Sequence, residues 1–254
     1  MEPYQRRQFS QPERIGPGEP APIERRSPAD IRLSGDSGGC LDRAMSERTR
    51  ITRKPDRGTD DSTVLNSLLD DARVAHVAFV RHGYPVVLPM AFGRDGNRLF
   101  LHGSTGAGAF LAARSGLEVS VAVTHLDGLV FARSTFDSSM NYRSAVIFGV
   151  ATPVPDDEKH DALWTVTEHL MPGRWNEVRP PSAKELAATA VLELPLDEVS
   201  VKIRAAGPGE APDDGEDHGV WAGVVPLRTV AGAPERSRLT DSAVPLPRSV
   251  RSLS

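Results

Sequence analysis

Short apolar stretches separated by polar turns fill the middle of the chain, between residues 61 and 227. Alternating apolar positions, as in Leu117–Leu126, are typical of β-strands with one buried face. The tripeptide Arg-His-Gly at 81–83 predicts a tight hairpin, and Gly93–Asn97 predicts a second turn. The predicted strands are Val74–Val80, Tyr84–Phe92, Arg98–Gly103, Leu117–Leu126, Gly128–Phe136, Arg143–Val154 and Ala190–Ala205.

Helical patterns are fewer and shorter. Ser62 is placed to cap a helix with an apolar face, Asp156–Gly173 predicts a longer helix, and Ser182–Glu185 has the spacing of a capping box. Ser104–Gly116 suits a short helix that ends at a glycine. Many short strands with few helices favour a mainly β fold. We therefore predict a six-stranded antiparallel barrel with flanking helices rather than a doubly wound sheet.

Both ends of the chain differ in composition from the middle. Residues 1–60 and 228–254 are rich in Arg, Pro, Ser and small residues and contain few large apolar side chains. Such segments bury too little apolar surface to offset the entropy lost on ordering. We expect disordered tails at 1–60 and 228–254, on either side of one domain at 61–227.

Composition excludes several classes of protein. The 254 residues carry a formal net charge of -4, which disfavours sequence-independent binding to nucleic acid. Cys40 is the single cysteine, so no disulfide can form within the chain, and a reducing compartment is favoured. No apolar run approaches the roughly 20 residues needed to cross a bilayer, and the first residues lack the apolar core of a secretory signal. We expect a cytoplasmic protein that binds neither membrane nor nucleic acid.

The segment that follows the third predicted strand has the features of an anion site. His102 ends the strand, and Gly103, Ser104, Thr105 and Gly106 lead into the next helix. Free backbone amides and hydroxyl groups at such a turn suit a phosphate. The alternative is a plain glycine-rich turn in which Ser104 or Thr105 caps the helix, because the segment matches neither a Walker A loop nor a dinucleotide fingerprint.

A second polar segment leads into a buried strand. Asn141, Tyr142, Arg143 and Ser144 are consecutive, so their side chains lie on both faces of the strand. Arg143 suits a phosphate or carboxylate, Asn141 and Ser144 suit the edge of a planar ring, and Tyr142 suits stacking on it. The alternative is an exposed strand edge or a subunit contact.

The remaining candidates are weaker. The seven histidines show no metal-ligand spacing, so we predict no metal site; among them His102 stands out because it precedes the anion turn. No GxSxG motif supports a hydrolase triad. Trp175, after the long helix, would either cover a flat ligand or fill the barrel.

Five stretches, in this order, carry a family resemblance: LPMAFGRDGNRLFLHGST, THLDGLVFARSTF, SMNYRSAVIFG, GRWNEVR, and VKIRAAGP followed later by GVWAGVVPL. Over about Ser62–Leu227 the chain resembles the flavin-nucleotide-binding, pyridoxamine 5'-phosphate oxidase-like family, and within it the nitroimidazole-reductase-like branch. The resemblance implies a split barrel of about six antiparallel strands and a two-fold homodimer that binds FMN at its interface.

The resemblance also implies positions for the cofactor. The backbone of Pro89, Met90 and Ala91 would face the flavin ring, and the 102–106 turn would hold the phosphate. Asn141–Ser144 would lie where cofactor and partner subunit meet. The family's oxidases carry an Arg-Lys pair just after the turn, whereas this chain has Ala107 and Gly108. An arginine from elsewhere would therefore have to replace the pair, with Arg143 or Arg133 as candidates.

The expected function is that of a dimeric FMN-dependent oxidoreductase. Electrons would pass from a nicotinamide or another reduced donor to a small planar or nitro-aromatic acceptor. His102 would donate a proton or hydrogen bond near the ring, and Arg143 would hold an anionic group. The alternatives are a non-catalytic flavin protein for storage or sensing, a barrel that uses deazaflavin or haem with His102 or His125 as axial ligand, and an interaction domain with an empty barrel.

Overall fold

The computed structural model describes residues 46–209 and 219–253, apart from the side chain of Arg114. Its described part contains ten strands in one antiparallel sheet and five helices. The strands are β1 (Gly58–Thr59), β2 (Ala75–Arg81), β3 (Tyr84–Met90), β4 (Phe92–Asp95), β5 (Arg98–Ser104), β6 (Leu117–Phe131), β7 (Ser139–Pro153), β8 (Thr189–Pro195), β9 (Glu198–Arg204) and β10 (Gly223–Pro226). The helices are α1 (Ser62–Asp71), α2 (Gly108–Ala112), α3 (Lys159–Leu170), α4 (Ala183–Ala188) and α5 (Arg248–Arg251).

A long hairpin, β6–β7, organises the sheet. Strand β6 pairs with β2 near its start and with β10 near its end, while β7 pairs with β9 and then with β8. The main path is β3-β2-β6-β7-β8-β5-β4. Strands β3 and β4 lie at its two ends but are consecutive in the chain, separated by Ala91. The sheet therefore curls into a split barrel that hydrogen bonds do not close, and the predicted mainly β barrel is confirmed.

Local sequence explains most of the elements. β2 and β3 are joined by His82 and Gly83, which both have positive φ, as a tight hairpin requires. The capping box at Ser182 and Glu185 opens α4 as predicted. Helix α1 is capped by Asp61 rather than Ser62, because the Asp61 Oδ1 accepts a hydrogen bond of 2.8 Å from the backbone N–H of Thr63.

Two sequence-based divisions into strands were wrong. The predicted strands Leu117–Leu126 and Gly128–Phe136 are mostly one strand, β6, which continues to Phe131 across a register shift between Leu126 and Gly128. The predicted strand Ala190–Ala205 is instead two strands, β8 and β9. A β-bulge lets a strand continue through an irregular residue, which explains why β6 is one strand. In the second case the chain turns at Leu196-Asp197, within a stretch whose sequence looks like one continuous strand.

The barrel interior is apolar, and the strand alternation builds it. One large cluster joins α1, α2 and the inward residues of seven strands, with Leu65, Leu69, Phe92, Val121 and Ile147 fully buried. A smaller cluster lies between α3 and β5, where Phe100 packs against Val166. Because β5 has one face on each cluster, its end is held from two sides.

The predicted tails fall partly outside the described residues, which begin at Ser46. Within residues 46–60 the chain forms two 3₁₀ turns and the short strand β1, which pairs with β9. Within residues 228–253 it forms turns and α5, and the Ser249 backbone N–H donates a 3.0 Å hydrogen bond to Glu177. None of the helices in the described ranges is long and apolar enough to cross a membrane.

Candidate functional site

The turn after β5 is exposed; its own backbone N–H groups are bonded within the chain, whereas the start of the following helix has no side-chain cap. The Thr105 N–H donates to the carbonyl of Ala188 at 3.0 Å, and the Ala107 N–H donates to that of Ser104 at 2.9 Å. The Gly106 N–H donates to the Ser104 hydroxyl at 3.3 Å. No side chain caps α2, which begins at Gly108. The first N–H groups of a helix have no partner within it, so the start of α2 presents donors to an incoming acceptor.

The buried ring of Phe110 packs against the backbone of Gly103, just before the turn. A Cβ atom built on Gly103 would lie 2.3 Å from Cε2 of Phe110, so only glycine lets the strand pass this close to the ring. Phe110 itself is buried in the barrel cluster. The position of Ser104 and Thr105 is thus fixed by the core.

His102 precedes this turn on β5 and is half-buried. Its Nδ1 atom is buried and has no hydrogen-bond partner in the described part of the chain. Burial lowers the pKa of the imidazole below its usual value, which favours the neutral ring. A neutral imidazole with an unused nitrogen can bind a metal centre or take up a proton.

The end of β3 lies beside His102. Phe92 pairs with Leu101, so Ala91 and His102 are the next residue on each chain beyond the last pair of that ladder. Strand β3 pairs with β2 alone among the described strands, and Val87, Leu88 and Pro89 are exposed on it. The structure therefore brings the predicted Pro89–Ala91 segment and the predicted 102–106 turn to one edge of the barrel.

Arg81, at the end of β2, lies over the same turn. A Cβ atom built on Gly108 would lie 2.3 Å from Nη1 and 2.4 Å from Cζ of Arg81. The guanidinium thus occupies the space where a side chain at position 108 would be. Sequence reasoning missed this residue because Arg81 and Gly108 lie on elements that are distant in the chain. No local motif marks the pair.

Arg143 is already neutralised by carboxylates of the same chain. Its Nε and Nη2 atoms donate to Asp127 at 3.2 and 3.1 Å, and its Nη1 donates to Asp71 at 3.0 Å. The hydrogen bonds and charges of these carboxylates raise the pKa of Arg143, against the opposing effect of burial. Two negative charges surround one positive charge, so an anion would have to displace a carboxylate. Arg143 is therefore not a free anion-binding arginine in this structure, contrary to the sequence-based role.

Asn141 and Ser144 are also bonded within the chain. The Asn141 Oδ1 accepts hydrogen bonds from the Arg204 guanidinium and from the Ala206 N–H, the latter at 3.2 Å. The Ser144 hydroxyl donates to the carbonyl of Lys202 at 3.2 Å. Tyr142 is half-buried opposite Arg204. These contacts tie β7 to β9 and the segment after it, and none of them reaches the turn at 104–108.

Other predicted residues have local roles. Trp175 lies in a 3₁₀ turn after α3, where its ring meets the edge of His160 at a centroid distance of 5.2 Å. Arg133 has an interaction partner. His125, the second candidate axial ligand, donates from Nε2 to the carbonyl of Leu68 at 3.0 Å. No group of three or more potential metal-ligating side chains occurs in the ranges that the structure describes.

Fold and site together define a split barrel with a candidate anion-binding turn at one edge. A family model for pyridoxamine 5'-phosphate oxidase matches residues 61–203. The chain belongs to this family, in agreement with the resemblance seen in the sequence. A comparison with curated proteins found no match.

Solved structures agree with this assignment. The FAD and haem binding protein from Mycobacterium smegmatis is 43% identical, with a TM-score of 0.75, over 78% of this chain and 97% of that one. The flavocytochrome Anf3 from Azotobacter vinelandii is 33% identical, with a TM-score of 0.77, over 82% of this chain and 97% of that one. A 5-nitroimidazole antibiotic resistance protein from Bacteroides thetaiotaomicron is 22% identical, with a TM-score of 0.50, over 57% and 86%, and shows the fold alone. The family is flavin-binding, and its relatives include flavin and haem proteins.

Proposed function

We propose that this protein is a redox protein that binds a flavin nucleotide and haem. The observation that carries the proposal is the end of β5, where an unpartnered imidazole, His102, directly precedes a turn that leads into α2, a helix with no side-chain cap. The two solved structures of 43% and 33% identity are named as an FAD and haem binding protein and a flavocytochrome, which supports both cofactors. When bound, a flavin and a haem together would supply two-electron and one-electron chemistry.

The residues of the turn fit a flavin phosphate. Ser104 and Thr105 supply hydroxyl groups, and α2, which begins at Gly108, has no side-chain cap on its first backbone N–H groups. The edge of β3 beside the turn is apolar and exposed at Val87 and Leu88, as the face of a planar ring requires. These residues would bind and orient the cofactor while the flavin ring performs the electron transfer.

Among the two histidines considered for haem, His102 fits better. Burial lowers its pKa, which favours the neutral imidazole, the form that binds iron. His125 would have to give up its hydrogen bond to Leu68 if Nε2 were the ligand. We therefore propose His102 as the haem ligand. A histidine bound to iron would not also serve as the proton donor to the flavin that the sequence suggested.

An absorption spectrum tests both cofactors. Full-length protein is loaded with FAD or FMN and then with haemin, desalted, and compared with His102→Ala and His125→Gln. We expect flavin bands in all three proteins and a Soret band of bound haem in the wild type and in His125→Gln only. Loss of the Soret band in His125→Gln but not in His102→Ala would contradict the assignment of His102 as the haem ligand. Wild-type protein that stays colourless after loading would contradict the proposed binding of flavin and haem.

The identity of the flavin and of the electron partners belongs to the same proposal. FAD is the first candidate because the M. smegmatis protein is named for it, and FMN remains the prediction from sequence. The reduced donor and the small planar or nitro-aromatic acceptor also stay predictions. Anaerobic reduction of the loaded protein by NADH or NADPH, followed at the flavin band, measures the donor directly.

We also propose a homodimer. Apolar side chains remain exposed on neighbouring parts of β6, β7 and β10, where Leu129 pairs with both Met140 and Val225. Next to them the rings of Phe131 and Trp221 pack at a centroid distance of 5.9 Å, and Trp221 is 65% exposed. Monomers rarely expose such contiguous apolar surface. Sedimentation equilibrium should give twice the 27.4 kDa chain mass, and Leu129→Glu with Met140→Glu should give monomers.

A further inference from the structure

We propose that Arg81 binds the phosphate of the flavin nucleotide and that Gly108 is required to admit it. This inference rests on the proposed flavin binding and names the residue that makes the site selective for phosphorylated flavins. Arg81 comes from β2, whereas the turn follows β5, so the site is assembled from two distant elements.

Arg81 differs from the other arginines around the barrel because its charge is not used. Arg94 pairs with Asp70, Arg143 pairs with Asp127 and Asp71, and Arg98 lies near three carboxylates. Arg81 has neither an ion pair nor a hydrogen bond with any described residue. An exposed guanidinium without a partner keeps its five donors available for an anion.

The position of that guanidinium is specific. Its Nη1, Cζ and Nη2 atoms lie 2.3, 2.4 and 2.8 Å from the point where a Cβ of residue 108 would be. The side chain therefore lies directly against the backbone of Gly108, two residues after Gly106. The Ser104 and Thr105 hydroxyls belong to the same turn. Guanidinium, hydroxyl and amide donors meeting at one place form the donor set that a phosphate prefers.

The contact with Arg81 explains why residue 108 is a glycine. It does not explain the glycine at position 106. A Cβ at Gly106 would have the Ser104 hydroxyl oxygen as its nearest neighbour, at 3.8 Å, which is ordinary contact. The three atoms nearest to a Cβ built on Gly108 all belong to the flexible end of the Arg81 side chain. We expect Gly108→Ala to fold and to displace the guanidinium, while Gly232→Ala, where a built Cβ has nothing within 4 Å, serves as the matched control.

The test compares flavins with and without phosphate. Dissociation constants of FMN and riboflavin are measured by flavin fluorescence for wild type, Arg81→Gln, Gly108→Ala, the double variant and Gly232→Ala. Loss of a charge-assisted bond should weaken FMN about tenfold in Arg81→Gln and leave riboflavin unchanged. Gly108→Ala should follow Arg81→Gln, and the double variant should be no weaker, because both changes remove one interaction. The dependence of FMN affinity on salt should decrease in the same variants.

The possible results distinguish a wrong role for Arg81 from a failure of flavin binding itself. If wild type binds FMN and Arg81→Gln keeps the same FMN-to-riboflavin ratio, Arg81 is not the phosphate ligand, and flavin binding itself stands. If wild type binds no flavin, the proposed function fails and the role of Arg81 fails with it. Arg238→Gln, which removes an exposed arginine from a segment of turns, controls for the change in net charge.

Discussion

Two polar regions of this barrel look alike in sequence and differ in structure. The segment 141–144 on β7 places an amide, a phenol, a guanidinium and a hydroxyl in succession, yet Asn141, Arg143 and Ser144 are all bonded within the chain. The turn at 102–108 has fewer polar side chains, but His102 and Arg81 beside it have no protein partner in the described residues. Buried polar groups need partners, so the unpartnered Nδ1 of His102 supports the proposal that this turn binds a ligand.

The polar groups of the two regions have different roles. On β7 the polar groups stabilise the join between strands, because each bond compensates the loss of water around a half-buried group. At the turn the same kinds of group are left for an external partner. Variants in the first region should change stability and leave flavin binding intact, whereas variants in the second should do the reverse.

The largest effect is expected at Asn141. Asn141→Ala removes the acceptor of the Ala206 N–H and one acceptor of the buried Arg204 guanidinium, which keeps its bonds to the carbonyls of Ala206 and Gly207. We expect the free energy of unfolding to fall by about 2–3 kcal/mol, which is typical for the loss of a hydrogen bond to a charged group. Urea denaturation followed by circular dichroism measures it, and Asn176→Ala, an exposed asparagine, is the control. Equal stability of the two variants would show that the bond is not structural.

Arg143 should have the next largest effect. Arg143→Met leaves Asp127 without its cation, although both side chains are about one-quarter exposed, at 23%, and Asp71 is more exposed still. Partial exposure reduces the cost below that of a fully buried pair, so we expect a loss of about 2 kcal/mol. The same denaturation experiment measures it. A more stable Arg143→Met protein would mean that the two carboxylates do not depend on this arginine.

Gly103 tests the support of the turn. In Gly103→Ala the new methyl group meets the buried Phe110 ring, and we expect a loss of about 1–2 kcal/mol from overpacking. Gly106→Ala, three residues further on, has room for its methyl group and should stay within about 0.5 kcal/mol of wild type. Thermal unfolding at matched concentration compares the two, and equal losses would argue against the close packing at Gly103.

The smallest effect is a dependence of stability on pH. Burial is the main cause that lowers the pKa of both His102 and His169 in the folded chain below the usual 6.5. The unfolded chain therefore takes up protons first as pH falls below about 6.5, so stability is full above that pH and declines below it. Unfolding of the cofactor-free protein between pH 8 and 5 should show this decline, reduced in His102→Gln with His169→Gln. An unchanged slope in the double variant would contradict it.

The sequence predicts the barrel well because strand alternation and turn residues are local signals. The hairpin at His82-Gly83 and the capping box at Ser182 need only a few adjacent residues. The join of Leu117–Phe131 into one strand was missed because the register shift depends on its partner β7. Local rules describe one strand at a time.

The candidate site can be read from the sequence only where its residues are adjacent in the chain. His102 and Ser104–Gly106 are adjacent in the chain, and they form the turn. Arg81 was missed and Arg143 was given a role because pairing between distant residues decides which arginine is free. Asp71 and Asp127, which engage Arg143, lie 72 and 16 residues away along the chain.

One measurement tests the central claim, that the unpartnered turn rather than the polar segment of β7 binds the cofactor. FMN and riboflavin affinities are measured side by side for Arg81→Gln and Arg143→Gln at a temperature where both are folded. We expect Arg81→Gln to lose about tenfold in FMN affinity alone and Arg143→Gln to bind both flavins as wild type does. A loss of FMN affinity in Arg143→Gln with none in Arg81→Gln would contradict the account.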